Sequence, residues 1–509
     1  MSGERERERG PEPEPGPEPE PGPEPEPYHA GLLRQHLAGR RIVAAMDVLI
    51  GSARLAEGLS ELGVEDVLLV GGSRGTGELP EEVEQEAVLL GVSGENLMAG
   101  IRAFETALDD PPRELRDAVE AFDPDGDALV ITTLFSARRE LCGRRVFGAR
   151  DPRWVRLEDK TTVDALWDAV GVRRAPSRVV PAHRDALLAA AAELDAGVGT
   201  AWVADNRDGW HGGGAGLRWV RDEADVDAAV DDLTAIADQV RVMPFLDGRP
   251  CSIHGWVLGD DVIASRPCET VMWRQAGSAR LVYGGAAATT WRPADADTRE
   301  MREMTRRVGR HLRDTVDYRG VFTVDGVLTV DGFRPTELNP RFGAAIATLG
   351  RGSGLPLYLL HCLSIDAPQL EWQPADLEQA IVEGDGWAGA NVMLDGCEVA
   401  PRTARVLRDG QGLRVVDVDR DGGEGDDAEA TDPGDVSADA PGAGPGEDAP
   451  VAEVELGPGT TGGFLRITLP QHPDGAAVAP AVADLLPAVT AHLGVEVPAL
   501  EAAPDRRPA

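Results

Sequence analysis

VFTVDGVLTVDGFRPTELNPRFG, residues Val321–Gly343, decides how this chain is read. Val321-Phe322-Thr323-Val324 is apolar and β-prone, Val327-Leu328-Thr329-Val330 continues it, and Asp331-Gly332 is a hairpin turn signal. The returning strand ends in Glu337-Leu338-Asn339. Strand alternation places Glu337 and Asn339 on one face and Leu338 on the other. Asp325 lies on the outgoing strand, where the hairpin brings it to that pair. Two carboxylates and an amide oxygen on one spot suit a hard cation such as Mg²⁺. Arg341 follows two residues later, and its guanidinium suits phosphate. The order of these residues points to a site that holds Mg²⁺ together with the phosphates of a nucleotide.

Composition narrows the rest. The 509 residues suffice for two to four domains with real cores. No apolar run approaches the ~20 residues that span a bilayer. The charged, Pro-rich N-terminus does not read as a signal peptide. The five cysteines (Cys142, Cys251, Cys268, Cys362, Cys397) are scattered and unpaired in spacing, which predicts neither a disulfide framework nor a zinc site. A reducing cytoplasm is the simplest location. Of the 38 excess negative charges, Met1–Pro27 supplies 6 (nine Glu against three Arg) and Asp417–Asp448 supplies 11 (twelve acidic groups against Arg420). No basic footprint for nucleic acid exists.

Four regions are expected. The repeat PEPEPG, PEPEPG, PEPEPY from Pro11 to Tyr28 predicts a disordered tail over 1–28, since alternating Pro and Glu builds no core. Residues 29–155 alternate helix and strand: Ala30–Ala38 helical, Arg41–Ile50 a buried strand, Leu55–Leu62 helical, then strands at Val67–Val70 and Ala128–Thr132. That alternation predicts a small parallel α/β domain. The glycine run from Gly71 to Gly77 reads as a structural turn, because Glu78-Leu79-Pro80 starts a helix poorly. Residues 156–375 open with Asp159-Lys160, a helix over Val163–Val170 and a strand over Ala175–Val180. Strands at Ala201–Asp205 and Leu217–Val220 flank the loop Gly209–Gly216, in which Gly212-Gly213-Gly214 bares backbone N–H groups and His211 reads as exposed. A further strand covers Val240–Phe245. Residues 376–509 mix strands (Val399–Val418, Val451–Leu456, Gly462–Leu469) with a helix over Ala477–Leu493, interrupted by an acidic Gly/Asp/Pro insertion at about 419–450.

Asp325 followed by Glu337-Leu338-Asn339-Pro340-Arg341 resembles the metal-binding hairpin of the ATP-grasp superfamily. The resemblance implies a fold of mixed α/β and α+β class. An ATP-grasp fold would follow a small parallel α/β domain and precede a small α+β C-terminal domain. It implies ATP and Mg²⁺, with Mn²⁺ as a substitute, held by Asp325, Glu337 and Asn339. Lys160, Arg341 and the Gly212-Gly213-Gly214 lid would grip the phosphates, and the strand carrying Met243 and Phe245 would receive the adenine. The implied activity is ATP-dependent joining of a small-molecule carboxylate to an amine through an acylphosphate, with no enzyme nucleophile, no nucleic acid, no membrane, and a homodimer as the assembly. Arg241–Leu246, Cys251–Gly255 and Pro335–Arg341 are similar to the actinobacterial pheganomycin-type peptide ligases, which implies amino-acid or peptide substrates. The chain departs from the family where a lysine usually precedes the glycine loop, since Val203-Ala204-Asp205 stands there. Arg207, Arg218, Arg266, Arg274 and Arg280 are the candidate substitutes. Met243 and Pro250 stand where glutamates are usual. A nucleotide-binding module without turnover, and an NAD(P)-dependent oxidoreductase suggested by the Gly71–Gly77 run, are the alternative readings.

Overall fold

The computed structural model describes residues 27–75, 79–94, 96–207, 209, 211–287, 291–349, 354–384, 387–409, 412–418, 450–459, 462–473 and 475–502. The Pro/Glu repeat, except Pro27 and Tyr28, and the acidic insertion up to residue 449 lie outside them. Tyr28, counted with the tail in the sequence, instead starts the first helix, Tyr28–Leu37, and its hydroxyl donates to Glu371 O at 2.6 Å.

The first sheet is parallel, in the order Val88–Leu89, Asp66–Ser73, Arg41–Val48, Leu129–Thr132. Two details correct the sequence reading. Leu49 and Ile50 do not extend the first strand but form the first turn of the helix Leu49–Glu61. Gly71 and Gly72 are not a turn; they continue the second strand to Ser73. Their missing side chains are the reason, since a Cβ on Gly71 would stand 2.8 Å from Leu49 Cβ. The glycines let that helix lie against the strand.

A small antiparallel sheet follows, in the order Arg178–Pro181, Gln239–Pro244, Thr200–Ala204, Leu217–Val220. Helices Arg184–Leu194 and Glu223–Ile236 cover one face through Leu187, Ala190, Ala229 and Leu233. The central sheet runs Leu281–Ala287, Cys268–Gln275, Arg249–Leu258, Gly320–Thr329, Gly332–Asn339. The 22-residue helix Asp295–Val316 packs on it with Met301, Met304, Val308 and Leu312. The last region is a five-stranded antiparallel sheet in the order Gly389–Asp395, Gly462–Thr468, Ala452–Pro458, Arg402–Asp409, Gly412–Asp417, covered by helix Val478–Leu493. It shares one apolar core with Val271 and Trp273 of the central sheet. Glu269 accepts from Val478 N at 2.9 Å, and Leu500–Ala502 pairs with Trp273–Gln275. No helix among the described residues is long and apolar enough to cross a membrane.

Helix Leu357–Asp366 fixes the parallel sheet against the central one. Leu360, Cys362 and Leu363 share a core with Ile42, Ile131, Phe147, Trp256 and Val321. Its His361 Nδ1 accepts the Val321 N–H at 2.9 Å, so its proton rides on Nε2. Burial, helped by the Arg150 guanidinium, pushes this imidazole down to about 3, and burial does the same to His254.

Acid sensitivity follows from the direction of those shifts. The unfolded chain takes up these protons near its ordinary value of 6.5, whereas the folded chain refuses them until about 3. Stability is therefore full above that ordinary value and falls as pH drops toward the folded one, by about 1.4 kcal/mol per pH unit for each histidine. His361→Asn keeps an acceptor for Val321 N–H and removes one titration. Between pH 7 and pH 5 the urea-unfolding stability of the wild type should drop by about 2 kcal/mol more than that of the variant. An equal drop in both would show that His361 carries no part of the acid response.

Candidate functional site

The hairpin register sets the site. Asp325 faces Glu337, Val324 faces Leu338 and Thr323 faces Asn339, with an irregularity after Asp325. Two carboxylates thus sit directly opposite on one face, where like charges repel. Their neighbours make this tolerable. The Ser252 hydroxyl donates to Asp325 Oδ1 and is itself 2.7 Å from Thr270 Oγ1. The Lys160 ammonium lies 2.6 Å from Glu337 Oε2. Asn339 Nδ2 bridges the pair, donating to Asp325 Oδ2 at 2.6 Å and to Glu337 Oε1 at 3.1 Å. Burial, then the Glu337 charge, pushes the Asp325 carboxyl well above the usual carboxylate range. Burial works to raise Glu337 as well, but the Lys160 ammonium overcomes it and holds Glu337 low.

The donor set fits a hard divalent cation. The Asn339 amide donates to both carboxylates and the Lys160 ammonium meets Glu337, so the pair draws positive charge to itself. Among the described residues, no group of three or more His, Cys, Asp or Glu gathers as a metal cluster. The third oxygen must come from Asn339, whose Oδ1 accepts from Arg341 Nη2 at 3.1 Å. Presenting that oxygen to a cation requires a half-turn of the amide, which releases Arg341.

All of these residues open on one cavity of about 370 Å³. Lys160, Asp325, Glu337, Asn339 and Arg341 are among its polar lining. Met243 and Phe245 line it too, with Ala201, cross-strand from Met243, and Val203. Phe245 is backed by Trp219, stacked at 4.0 Å between ring centroids. Gly212, Gly213 and Gly214 close the roof. A Cβ on Gly214 (φ 84°) would stand 2.5 Å from Leu281 O, so a glycine is required there for the loop to pass this close, and Gly212 lies against the end of the Met98 side chain. Tyr283 N–H reaches Gly213 O at 3.4 Å.

Several functional contacts were not legible in the sequence. His211 is not simply exposed; it lines the cavity, and burial, with the Lys160 charge, lowers its imidazole. None of the five candidate arginines lines the cavity. Arg207 pairs with Asp238 at 3.2 Å, Arg218 with Asp232 at 2.8 Å, Arg280 with the same carboxylate at 3.3 Å, and Arg274 with Glu501 at 3.2 Å. Arg266 Nη2 reaches Gly384 O at 3.4 Å. The extra cation in the wall is Arg241, cross-strand from Val203 and tied to Asp164 at 2.6 Å and to Thr336 O at 3.1 Å. Helix Leu97–Asp109, unread in the sequence, supplies Leu97, Met98 and Ile101 to the cavity lining. Its signal was present in the spacing of Leu97, Ile101, Phe104 and Leu108 after Asn96.

Arg150 ties these walls together. Its guanidinium pairs with buried Glu158 and donates to Pro340 O at 3.1 Å and Phe135 O at 3.3 Å. Arg341 lies over the Phe135 ring, 4.5 Å from its centroid, and 3.7 Å from Glu158.

No family model matches the sequence, and no curated protein matches it. Solved structures do. The biotin carboxylase domain dimer of the Hydrogenobacter thermophilus 2-oxoglutarate carboxylase, in complex with MgADP, ADP and bicarbonate, is 15% identical, with a TM-score of 0.51 over 86% of this chain and 87% of that one. An Aspergillus clavatus carboxyaminoimidazole ribonucleotide synthase complexed with ATP is 13% identical, with a TM-score of 0.49 over 90% of this chain and 99% of that one. A phosphoribosylamine–glycine ligase from Thermotoga maritima is 14% identical, with a TM-score of 0.47 over 74% and 90%. At the identity of the first, the likeness establishes the fold, and that fold is the ATP-grasp one expected from the sequence.

Cation binding can be checked without nucleotide. Mg²⁺ or Mn²⁺ added to the free protein should stabilise it by about 1–3 kcal/mol when well above its Kd. Asp325→Asn and Glu337→Gln should each abolish most of that shift in calorimetry. An undiminished shift in both variants would place the cation elsewhere.

Proposed function

We propose that this chain is an ATP-dependent carboxylate–amine ligase. The observation that carries the reading is the half-buried pair Asp325 and Glu337, facing each other across the hairpin and lining one cavity with Lys160, Asn339 and Arg341. The solved structures support it through the fold. In this reading Asp325, Glu337 and Asn339 hold Mg²⁺, and Mg-ATP supplies the phosphoryl group and the divalent charge that screens it. Met243 and Phe245 take the adenine, with Phe245 held rigid by Trp219. Lys160 and the backbone N–H groups at Gly212–Gly214 hold the phosphates in place. When Asn339 turns its oxygen inward, Arg341 loses its acceptor and becomes available to an anion.

The overall reaction joins an acid to an amine. A carboxylate oxygen of the acid bonds to the γ-phosphorus as the bond to ADP breaks. The amine nitrogen then bonds to the acyl carbon, inorganic phosphate leaves, and the amine proton passes to solvent. The protein's part is to orient the acid and exclude water while the acylphosphate exists. The glycine loop, resting on Met98 and Leu281, is suited to that exclusion. A peptide-forming enzyme near the pheganomycin-type ligases, acting in the cytoplasm as a dimer, is the finer form of the proposal. Its support is the likeness of Arg241–Leu246, Cys251–Gly255 and Pro335–Arg341.

The test is a screen of acids and amines for joint dependence of phosphate release, with mass spectrometry of products. Glu337→Ala and Asn339→Ala should each lower turnover by about 10²-fold or more. Neither residue is part of the apolar core, so calorimetry should still show cooperative melting. Near-normal phosphate release from both variants would sink the assignment.

A further inference from the structure

Besides Met243 and Phe245, the cavity has a second set of apolar lining residues that has no role yet. It is built by the N-terminal α/β region. Helix Leu97–Asp109 begins at Asn96, whose Oδ1 caps it by accepting Ala99 N–H at 3.0 Å. Leu97 and Ile101 stand one turn apart on it, with Met98 beside them. Leu134 and Phe135, on the loop after the strand Leu129–Thr132, complete the wall. All five side chains are apolar.

Three charged groups beside this arm, Glu105, Asp109 and Arg138, are spent on one another. Glu105, one turn beyond Ile101, accepts from Thr133 Oγ1 at 2.5 Å and from Arg138 Nη2 at 2.8 Å. Arg138 also lies 3.3 Å from Asp109. None of Glu105, Asp109 and Arg138 lines the cavity. The mouth of the arm, by contrast, is the Arg341 guanidinium lying over Phe135. A planar fork at the mouth suits a carboxylate and repels an ammonium. Gly212 of the glycine loop lies against Met98, so the loop borders this wall.

We propose that the acid activated in this cavity is a monocarboxylic acid with an apolar body, seated on Leu97, Met98, Ile101, Leu134 and Phe135 with its carboxylate at Arg341. This rests on the ligase reading and specifies its substrate class. A second carboxylate, a phosphate or an ammonium at the far end of the body would lose its water and meet no opposite charge among Leu97, Met98, Ile101, Leu134 and Phe135, which disfavours it. An apolar body gains by the same burial.

The experiment traps the activated acid with hydroxylamine as a hydroxamate, using the full chain and Mg-ATP. Isocaproate and hydrocinnamate are compared with the charged acids glutarate and γ-aminobutyrate. Isocaproate and hydrocinnamate should show kcat/KM about tenfold or more above the charged acids. Ile101→Ala should raise KM for isocaproate by about tenfold with Mg-ATP affinity unchanged. Leu97→Lys, at a half-buried position that tolerates polarity, should shift preference toward glutarate. Thermal stabilisation by each acid, measured with a non-hydrolysable ATP analogue, gives a readout independent of turnover. Equal or better use of glutarate or γ-aminobutyrate by the wild type would overturn the apolar assignment and leave the ligase reading standing. Stabilisation by isocaproate that is lost in Leu97→Lys, with no hydroxamate from any acid, would support the apolar arm and overturn the ligase reading. If isocaproate and hydrocinnamate give no stabilisation and no hydroxamate, the proposal is overturned.

Discussion

Two carboxylates facing each other across a hairpin, in a buried cavity, are the constraint to which the surrounding structure answers. Asp325 and Glu337 cannot both be ionised there without positive charge close by. The chain meets this demand with donors from three separate places: Ser252 from the neighbouring strand, Lys160 from the segment before the helix Val163–Ala169, and the amide of Asn339 from the same strand as Glu337. Lys160 and Asn339 each hold a proton against the pair. Two carboxylates and an amide oxygen that can turn toward them are also the donor types that a hard cation takes.

The same pair explains why the walls are braced as they are. A cavity that holds charges in fixed positions needs rigid supports, because small displacements change strong local interactions. Arg150 bonds the Phe135 loop to Pro340, which precedes Arg341, and is itself neutralised by Glu158. Helix Leu357–Asp366 carries His361 to Val321, at the start of the strand that bears Asp325. The apolar arm and the charged centre are therefore joined by two independent bridges, one polar and one largely apolar.

Much of this was legible along the sequence and some of it was not. The hairpin could be read because all its information is local: β-prone runs, an Asp-Gly turn and alternation that puts Glu337 and Asn339 on one face. The strands at Leu217–Val220 and Gln239–Pro244 were legible for the same reason. Strands Cys268–Gln275 and Leu281–Ala287 were not, because the second carries Gly284-Gly285-Ala286-Ala287, which has little β signal of its own. Gly284 is there because Trp273 lies against it, with Cζ3 2.2 Å from the place a Cβ would take. Helix Asp295–Val316 was passed over although Met301, Met304, Val308 and Leu312 repeat at helical spacing. The Arg150–Pro340 contact spans 190 residues and leaves no local trace. The five candidate arginines failed on another count. Spacing shows where a cation sits along the chain, but Asp232, Asp238 and Glu501, each distant in sequence, decide which cations are already taken.

Net charge gives the site its last constraint. The chain carries a formal charge of -38, so its long-range field repels an anionic nucleotide. Inside the cavity the count differs: Lys160, Arg241 and Arg341 stand against Asp325 and Glu337. Arg241 is committed to Asp164, so the two remaining cations only balance the two carboxylates. A polyphosphate entering such a site gains no net attraction from the protein alone. Divalent charge has to enter with it, both to offset the field outside and to separate the phosphates from Asp325 and Glu337 inside. Val203-Ala204-Asp205 before the glycine loop sharpens this dependence, because these residues bring no positive charge to the cavity and Arg241, on the neighbouring strand, is committed to Asp164.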